Sequence, residues 1–260
     1  MIFNMGGFNP LAVMPDFTYS GTYNLVDDGK NGTEQNWRIK FLTSGNFVPK
    51  RKMVIDAFLV GGGGGSGSYN GSGGGYTTTE KKITLEAGKT YEIVIGAGGK
   101  GSQGEYKCSI GGTTTAFGQT AYGGNQKKSD IGTKAYGVGG CGGGAYENEY
   151  VGGNGGSDGG NGKKAGSTSG KSGQGTTTRE FGEPNETPYA GGGGGATAHN
   201  SVSGQSSGGY WGGGKGQSRN GSAMNTPGEA NSGGGGGGGN NYDGGGSAGG
   251  SGVVIIRNAR

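Results

Sequence analysis

The chain gathers its glycine into uninterrupted tracts, and this feature limits the folds that are open to it. Glycine supplies 73 of the 260 residues, whereas an average protein contains about 7%. Glycine loses more backbone freedom on folding than any other residue. Such tracts therefore either stay unfolded, as Gly/Ser-rich coil does, or use their missing side chains to pack backbone against backbone. The principal tracts are residues 61–65, 73–75, 142–144, 191–195, 212–214, 233–239 and 244–246.

Few ordered forms suit these tracts. Collagen needs glycine at every third position and abundant proline, but the chain has 6 prolines and no sustained triplet. An α-helix is disfavoured by about 1 kcal/mol per glycine, and a glycine strand has no side chains to bury. The left-handed helix with three residues per turn remains. We therefore expect a polyglycine-II bundle, in which neighbouring helices satisfy each other's N–H and C=O groups. Its expected helices include residues 191–195, 212–214, 233–239 and 244–246.

Other segments are rich in β-branched and aromatic residues and are separated by turn-forming clusters, which is typical of β-strands. Trp37, Ile39 and Phe41 alternate with charged residues, which predicts one buried face. Residues 53–60 are apolar on both faces, as in a central strand. Residues 87–89 are expected to close a hairpin between the strands beside them. The predicted strand segments are residues 17–28, 36–48, 53–60, 81–88, 90–98, 113–118 and 252–257.

The last apolar segment, residues 252–257, should pair with an early strand, because the glycine-rich region offers few apolar partners. The sequence thus predicts an all-β fold: a small antiparallel β-sandwich with a glycine-rich polyglycine-II helical bundle inserted before the last strand. In this division residues 1–16 form an N-terminal extension. Residues 17–122 and 252–260 form the sandwich, and residues 123–251 form the bundle with its variable loops.

Residues that carry catalysis or bind cofactors are scarce. His199 is the only histidine, which leaves almost no material for a zinc site or a histidine-based triad. The carboxylates of the glycine-rich region form no spaced pair that indicates acid–base chemistry. Residues 209–215 match a phosphate-binding loop by letter but lack the Ser or Thr that should follow. We expect no enzymatic activity, no cofactor and no metal.

The sequence also argues against several compartments and partners. No apolar run reaches the 18 or so residues that cross a membrane, and the net charge of +4 is too small to indicate nucleic acid. The N-terminal residues lack the basic and apolar regions of a secretory signal. Neither membrane insertion nor nucleic-acid binding is expected, and Cys108 and Cys141 are expected to be free thiols.

The glycine-rich region contains aromatic residues between and beside its tracts. Exposed Tyr and Trp among Asn, Ser and Gly form the composition of adaptable binding surfaces. Two alternatives stay open for these rings: they fasten the edges of the bundle, or they are presented at loop tips for a receptor. The candidate receptor-binding residues are Tyr146, Tyr150, Phe181, Tyr189, Tyr210, Trp211 and Tyr242.

Several segments together resemble a known family. IDAFLVGGGGGSG is followed by ITLEAGKTYEIVIGAGGKG, GGTTTAFG, repeated glycine tracts and a terminal SGVVIIR. This pattern resembles the glycine-rich domain proteins of bacteriophages and prophages of Gram-positive bacteria, over roughly residues 17–257. The glycine bundle also looks like that of certain phage tail-fibre adhesins, in which loops between polyglycine helices contact the host. Similar bundles occur in an animal receptor kinase ectodomain and in an insect-like antifreeze protein, so the bundle alone does not fix a function.

The resemblance implies a virion protein of the tail fibre tip or baseplate, assembled in the host cytoplasm. The expected activity is adhesion to a host cell-surface receptor, a glycan or a protein, with a glycan favoured. Other virion tail proteins and further copies of the chain are the expected partners. Two alternatives remain: a non-adhesive structural subunit of a virion or extracellular fibre, and a flat surface that binds ice or carbohydrate. The last would require a regular threonine array, which the sequence lacks.

Overall fold

A computed structural model describes residues 15–31, 34–68, 70–102, 109–128, 135–139, 179–196, 211–217, 224–239 and 245–260. This part of the chain is all-β, with almost no helix: it contains twelve strands and one three-residue 3-10 turn, Glu180–Gly182. The strands are β1 (Phe17–Tyr19), β2 (Tyr23–Asn31), β3 (Glu34–Phe41), β4 (Gly45–Pro49), β5 (Met53–Val60), β6 (Thr77–Leu85), β7 (Tyr91–Val94), β8 (Thr114–Ala116), β9 (Gln119–Ala121), β10 (Asn125–Lys128), β11 (Ala135–Val138) and β12 (Val253–Asn258).

The strands form two five-stranded antiparallel sheets and one two-stranded hairpin. The first sheet has the order β1-β4-β7-β8-β9, the second sheet has the order β2-β3-β12-β5-β6, and β10 pairs with β11. Two predicted strand segments, residues 17–28 and 36–48, each divide into two strands that belong to different sheets. Short turns at residues 20–22 and 42–44 carry the chain from one sheet to the other.

The predicted hairpin at residues 87–89 is wrong. A turn does occur there, but β6 pairs with β5 in the second sheet, whereas β7 pairs with β4 and β8 in the first sheet. The amide of Gly88 donates to the carbonyl of Pro49, 2.7 Å away, which fastens the turn to the end of β4. The short connection between β6 and β7 was the basis of the hairpin prediction. In the structure β6 pairs with β5 and β7 pairs with β4, so the two strands do not pair with each other.

The C-terminal strand pairs with early strands, as the sequence predicts, and it lies in the middle of the second sheet. It runs antiparallel to β5, with Val253 opposite Val60, and antiparallel to β3, with Ile256 opposite Ile39. Every residue of β12 is buried. The last strand of the chain is thereby joined to two strands from its N-terminal quarter, β3 and β5.

One hydrophobic core lies between the two sheets, as in a β-sandwich. Trp37, Ile39 and Phe41 of β3 belong to it, which confirms the predicted buried face. The first sheet contributes Phe47 and Ile93, among others. The aromatic rings pack edge to face, with the centroids of Phe41 and Phe47 5.5 Å apart, a favourable geometry for ring pairs.

A second, smaller core covers the opposite face of the second sheet. Phe58 and Val60 of β5 and Val253 and Ile255 of β12 form one side of it. The other side comes from Phe181, Tyr189 and Ala190, which lie far along the chain. The prediction that β5 is apolar on both faces is therefore confirmed, and its second face is covered by a segment of the glycine-rich region.

Candidate functional site

Strands of both sheets continue directly into glycine tracts. Residues 61–66 follow β5, and their amides donate in turn to three neighbouring segments with a period of three. The six N–H···O distances lie between 2.8 and 3.0 Å. The donor and acceptor pairs are Gly61–Tyr76 and Gly64–Gly73, Gly62–Gly112 and Gly65–Ser109, and Gly63–Gly250 and Ser66–Ser247.

The carbonyl groups of the same tract reach three further segments. They accept from amides 2.8–3.0 Å away. Residues 61–66 are thus surrounded by other backbone segments on all sides, and every one of them is buried. The acceptor and donor pairs are Gly62–Gly124, Gly63–Gly99 and Gly64–Gly236.

The longest tract shows the same period. Gly235 and Gly238 donate to Gly191 and Gly194, both at 2.9 Å. Gly236 donates to Gly64 at 3.0 Å, and three residues later Gly239 donates to Gly67 at 3.3 Å. A step of three residues along one tract therefore matches a step of three along its neighbour. The described residues of these tracts are assigned to neither helix nor regular strand, apart from an isolated bridge between Ser68 and Gly239.

Side chains are excluded from these positions by neighbouring carbonyl groups. A Cβ atom on Gly63 would lie 1.9 Å from the carbonyl oxygen of Gly234, and one on Gly236 would lie 2.1 Å from that of Ser247. Both distances are far below van der Waals contact. We call the packed segments the glycine scaffold; it consists of residues 61–67, 73–76, 98–102, 109–112, 123–125, 190–196, 211–217, 226–239 and 245–252.

The glycine scaffold crosses the domain division that the sequence suggested. The division predicted from the sequence includes three glycine-rich segments in the sandwich, residues 61–67, 73–76 and 98–112. Their described parts pack among the later tracts. The boundary at residue 123 therefore does not separate the two parts. The strands of the sheets do come from residues 17–121 and 253–258, with the β10–β11 hairpin apart from them.

Residues 179–190, which we call the clamp segment, are fastened to the outer face of the second sheet by ion pairs. Arg38 of β3 binds the carboxylates of Glu180 and Glu186, the latter at 3.1 and 3.2 Å. Arg257 of β12 binds Glu183, with an Nη1–Oε2 distance of 2.9 Å. The three glutamates are spaced three residues apart and face two arginines on adjacent strands.

The network continues into the sheet. Arg257 is 1% exposed and also donates from Nε to Asp56 of β5, 3.2 Å away. The fully buried Asp56 accepts a further bond from the backbone amide of Lys82, 3.1 Å away, at a bulge in β6. Because an unpaired buried charge is costly, each of these groups depends on the others.

The pKa values of two clamp residues reflect these contacts. Hydrogen bonds from Arg257, more than the opposing effect of burial, lower the pKa of Glu183 to about 2. Burial raises the pKa of Tyr189 to about 12. The Tyr189 hydroxyl is therefore protonated at neutral pH and donates to Glu180, 2.7 Å away. Burial also lowers the pKa of Lys40, whose ammonium lies 5.2 Å from the Tyr189 ring centroid.

Two of the predicted receptor-binding residues, Phe181 and Tyr189, are packing residues in this structure. Phe181 is 2% exposed and Tyr189 is 5% exposed. The Arg257 guanidinium lies 4.1 Å from the Phe181 ring centroid, a cation–π contact. The Tyr189 centroid lies 5.6 Å from that of Phe58. These rings hold the clamp segment on the sheet and offer no free face to a receptor.

Trp211 is half-buried at the end of the glycine scaffold that adjoins the sheet. Its carbonyl accepts from Gly191, and its ring lies 5.6 Å from the Arg179 guanidinium. It is one of the few non-glycine residues with a left-handed φ, 67°. Four other candidates, Tyr146, Tyr150, Tyr210 and Tyr242, lie outside the described residues, as do Cys108, Cys141 and His199.

The opposite end of the scaffold contains Ser68, Gln217 and Gly239. Ser68 bridges to Gly239, and the amide of Gln217 donates to the carbonyl of Gly238, so these residues lie together away from the sheet. Residues 218–223 and 240–244 follow directly after Gln217 and Gly239. Trp211 lies at the sheet end, and Tyr242 lies outside the described residues.

The ion pairs of the clamp segment were not predicted from the sequence. A signal was present in the sequence: Asp56 and Arg257 are single charges within two otherwise apolar segments, and the second of these was predicted to pair with an early strand, residues 54–60 or 83–95. Opposite charges in two buried neighbouring strands predict a contact between them. The three-residue spacing of the glutamates was the second signal.

The described residues contain no cluster of ligands suited to a metal ion. None of their helices is long and apolar enough to cross a membrane. This part of the chain forms a closely packed, hydrogen-bonded backbone scaffold that continues from the strands of both sheets.

In a comparison with known proteins, one protein-family model matches most of the chain. The model of a protein family described as "Glycine-rich domain" matches residues 42–259. The matched region begins just before β4 and extends through the whole glycine scaffold to the end of β12. No curated protein matches the chain.

Proposed function

Because the chain belongs to the glycine-rich domain family, we propose that it is a bacteriophage virion protein, at a tail fibre tip or baseplate, that attaches to the host cell surface. The receptor is a host cell-surface glycan, or else a protein. The family match itself says nothing of phage origin; the resemblance to phage and prophage proteins supports that step. Other tail proteins and further copies of the chain are its partners in the particle.

We propose that the glycine scaffold is a polyglycine-II bundle. The single observation that carries this step is the period of three in the hydrogen bonds of residues 61–66 and 235–239. Three residues per turn without internal hydrogen bonds define that helix, and a strand would repeat every two residues. In the described part of residues 233–239, Gly233 alone has a left-handed φ, as expected where the chain turns into the tract.

A scaffold of this kind suits adhesion because it holds loops with little motion of their anchors. A binding loop whose ends are fixed loses less entropy when it binds. Gln217 and Gly239 lie at the end of the scaffold that is far from the sheet, and each is followed in the sequence by a polar segment. The proposed contacts are the aromatic residues between and beside the tracts: Tyr146, Tyr150, Tyr210, Trp211 and Tyr242.

The adhesion proposal is tested with purified, fluorescently labelled protein and a panel of Gram-positive bacterial strains. We expect the wild-type protein to bind cells of some strains. The Tyr242→Ala variant and the Tyr210→Ala, Trp211→Ala double variant should bind them more weakly. Tyr122→Ala removes a ring that is 66% exposed outside the candidate loops and serves as the matched control. Binding that is equal in all variants, or absent from every strain, contradicts the proposal.

One observation favours the alternative of a structural subunit. β2 is an edge strand of the second sheet, and three of its apolar side chains, Tyr23, Leu25 and Val26, are 40–46% exposed. Exposed apolar edge strands readily pair with another chain. If assembly is the function, Leu25→Lys should convert an oligomer to a monomer in light scattering. An unchanged mass would leave the edge strand without a role in assembly.

A further inference from the structure

We propose that the sandwich carries a second binding site, a cleft for a sugar ring, between the β6–β7 turn and the β8–β9 turn. The cleft has a volume of about 450 Å³, which is within the usual range of small-molecule sites. Its aromatic walls are Tyr91 and Phe117. None of the residues that line it belongs to the glycine scaffold, and the proposal is independent of the adhesion proposal.

The two aromatic rings form a fixed, angled wall. Their centroids are 5.8 Å apart and their planes meet at 51°. The Tyr91 hydroxyl accepts from the backbone amide of Glu86, 2.8 Å away, which fixes that ring. The Phe117 ring lies edge to face against Phe47, with centroids 6.2 Å apart. Rings held in this way offer an apolar face at little cost in entropy.

Phe117 occupies a backbone conformation that phenylalanine rarely adopts. Phe117 and Gly118 form the two-residue turn between β8 and β9, with φ values of 53° and 80°. Positive φ at both positions defines a turn that strongly favours Asn-Gly. A bulky residue at such a position is a genuine outlier, and such strain often marks a functional site. Here the ring is half-buried and still lines the cleft.

The rim supplies polar groups of both kinds. Glu86 and Glu92 can accept hydrogen bonds, Lys89 can donate them, and the hydroxyls of Thr84 and Thr90 can do both. The positively charged Lys89 ammonium lies 5.3 Å from the Tyr91 ring centroid. Two carboxylates oppose an anionic ligand, and the lysine opposes a cationic one. A neutral, hydroxyl-rich ring with an apolar C–H face satisfies both the walls and the rim.

The probes are the methyl glycosides of glucose, galactose, N-acetylglucosamine, N-acetylgalactosamine and rhamnose. Saturation-transfer NMR should show transfer from the whole protein to the ring C–H protons of at least one of them. Amide shifts should then move at residues 83–92 and 117–118 on titration. Phe117→Asn removes the ring but supplies the residue that the turn prefers, so the fold is retained.

Phe117→Asn and Glu92→Gln should each weaken binding of the best glycoside about tenfold, while Tyr122→Ala should leave it unchanged. Circular dichroism checks that each variant is folded. Absence of transfer to all five glycosides overturns the proposal, and so does wild-type affinity for the best glycoside in both the Phe117→Asn and the Glu92→Gln variant. Neither result bears on cell binding through Tyr242, because that assay uses other residues and whole bacteria.

Discussion

Gly236 shows at a single residue what the glycine scaffold requires. Its amide donates to Gly64 and to the hydroxyl of Ser72, and its carbonyl accepts from the amide of Ser72. The position where a side chain would begin is occupied by the carbonyl of Ser247. All of these partners are backbone or a short buried side chain, so none can move aside cheaply.

We expect Gly236→Ala to lower the free energy of unfolding by about 3 kcal/mol. The added methyl group overpacks a closed site and separates buried hydrogen-bonding groups from their partners. Urea titration followed by circular dichroism measures the change. Gly88→Ala is the matched control: a Cβ there meets no atom within 4 Å, but φ is 72°, so the cost is about 1 kcal/mol of backbone strain. Equal losses in the two variants would show that close packing at Gly236 is not required.

The lowered pKa of Glu183 predicts how the free energy of unfolding changes at acidic pH. Its pKa is about 2 in the folded protein, against an ordinary value of 4.5. The folded state therefore holds this proton more weakly than the unfolded state. The stabilisation is fully present above about pH 4.5 and is lost as the pH falls towards 2.

Glu183→Gln should reduce the loss of stability between pH 4.5 and pH 2 and should cost about 1 kcal/mol at neutral pH, a value discounted for solvent screening. Urea titrations at several pH values measure both effects. Glu86→Gln removes one partner of an exposed pair with Lys52 and should change little. A wild-type pH profile in the Glu183 variant would mean that the Arg257 contact does not stabilise the fold.

At the scale of elements, β12 joins the two cores. Ile256 points into the core between the sheets, whereas Ile255 points into the smaller core under the clamp segment. Either residue changed to Ala should cost about 2–5 kcal/mol, as large-to-small core changes do. The two variants should differ in which part of the protein unfolds locally.

Hydrogen exchange read by mass spectrometry distinguishes them. In Ile255→Ala, we expect exchange to quicken first in residues 179–190, because that core fastens the clamp segment. In Ile256→Ala, exchange should quicken across both sheets. The same pattern in both variants would mean that the two cores unfold as one unit.

The elements differ in how far the sequence could predict them. Apolar content and length predicted β5 and β12, and they predicted that β12 pairs with an early strand, because a buried strand must find buried partners; the choice of β5 over residues 83–95 was left open. The β6–β7 hairpin was predicted wrongly, since short connections favour pairing and only tertiary contacts send the two strands to different sheets. The clamp segment was missed because arginines on β3 and β12 meet glutamates more than 70 residues away from them.

At the scale of the whole molecule, the sandwich and the glycine scaffold form one continuous structure. Residues 61–66 continue β5, residues 73–76 lead into β6, and residues 247–252 lead into β12. Tract lengths predicted backbone packing but could not predict which tracts are neighbours, because glycine carries no side chain that encodes a partner. The strands that enter and leave the scaffold set those neighbours.

The central claim is that the tracts are ordered by backbone hydrogen bonds with a period of three. Native-state hydrogen exchange at individual amides tests it most directly. Residues 61–66 and 235–238 should exchange as slowly as the buried strands β5 and β12, because their amides are bonded and shielded from water. Exchange of these amides at the rate of an unfolded chain would contradict the claim.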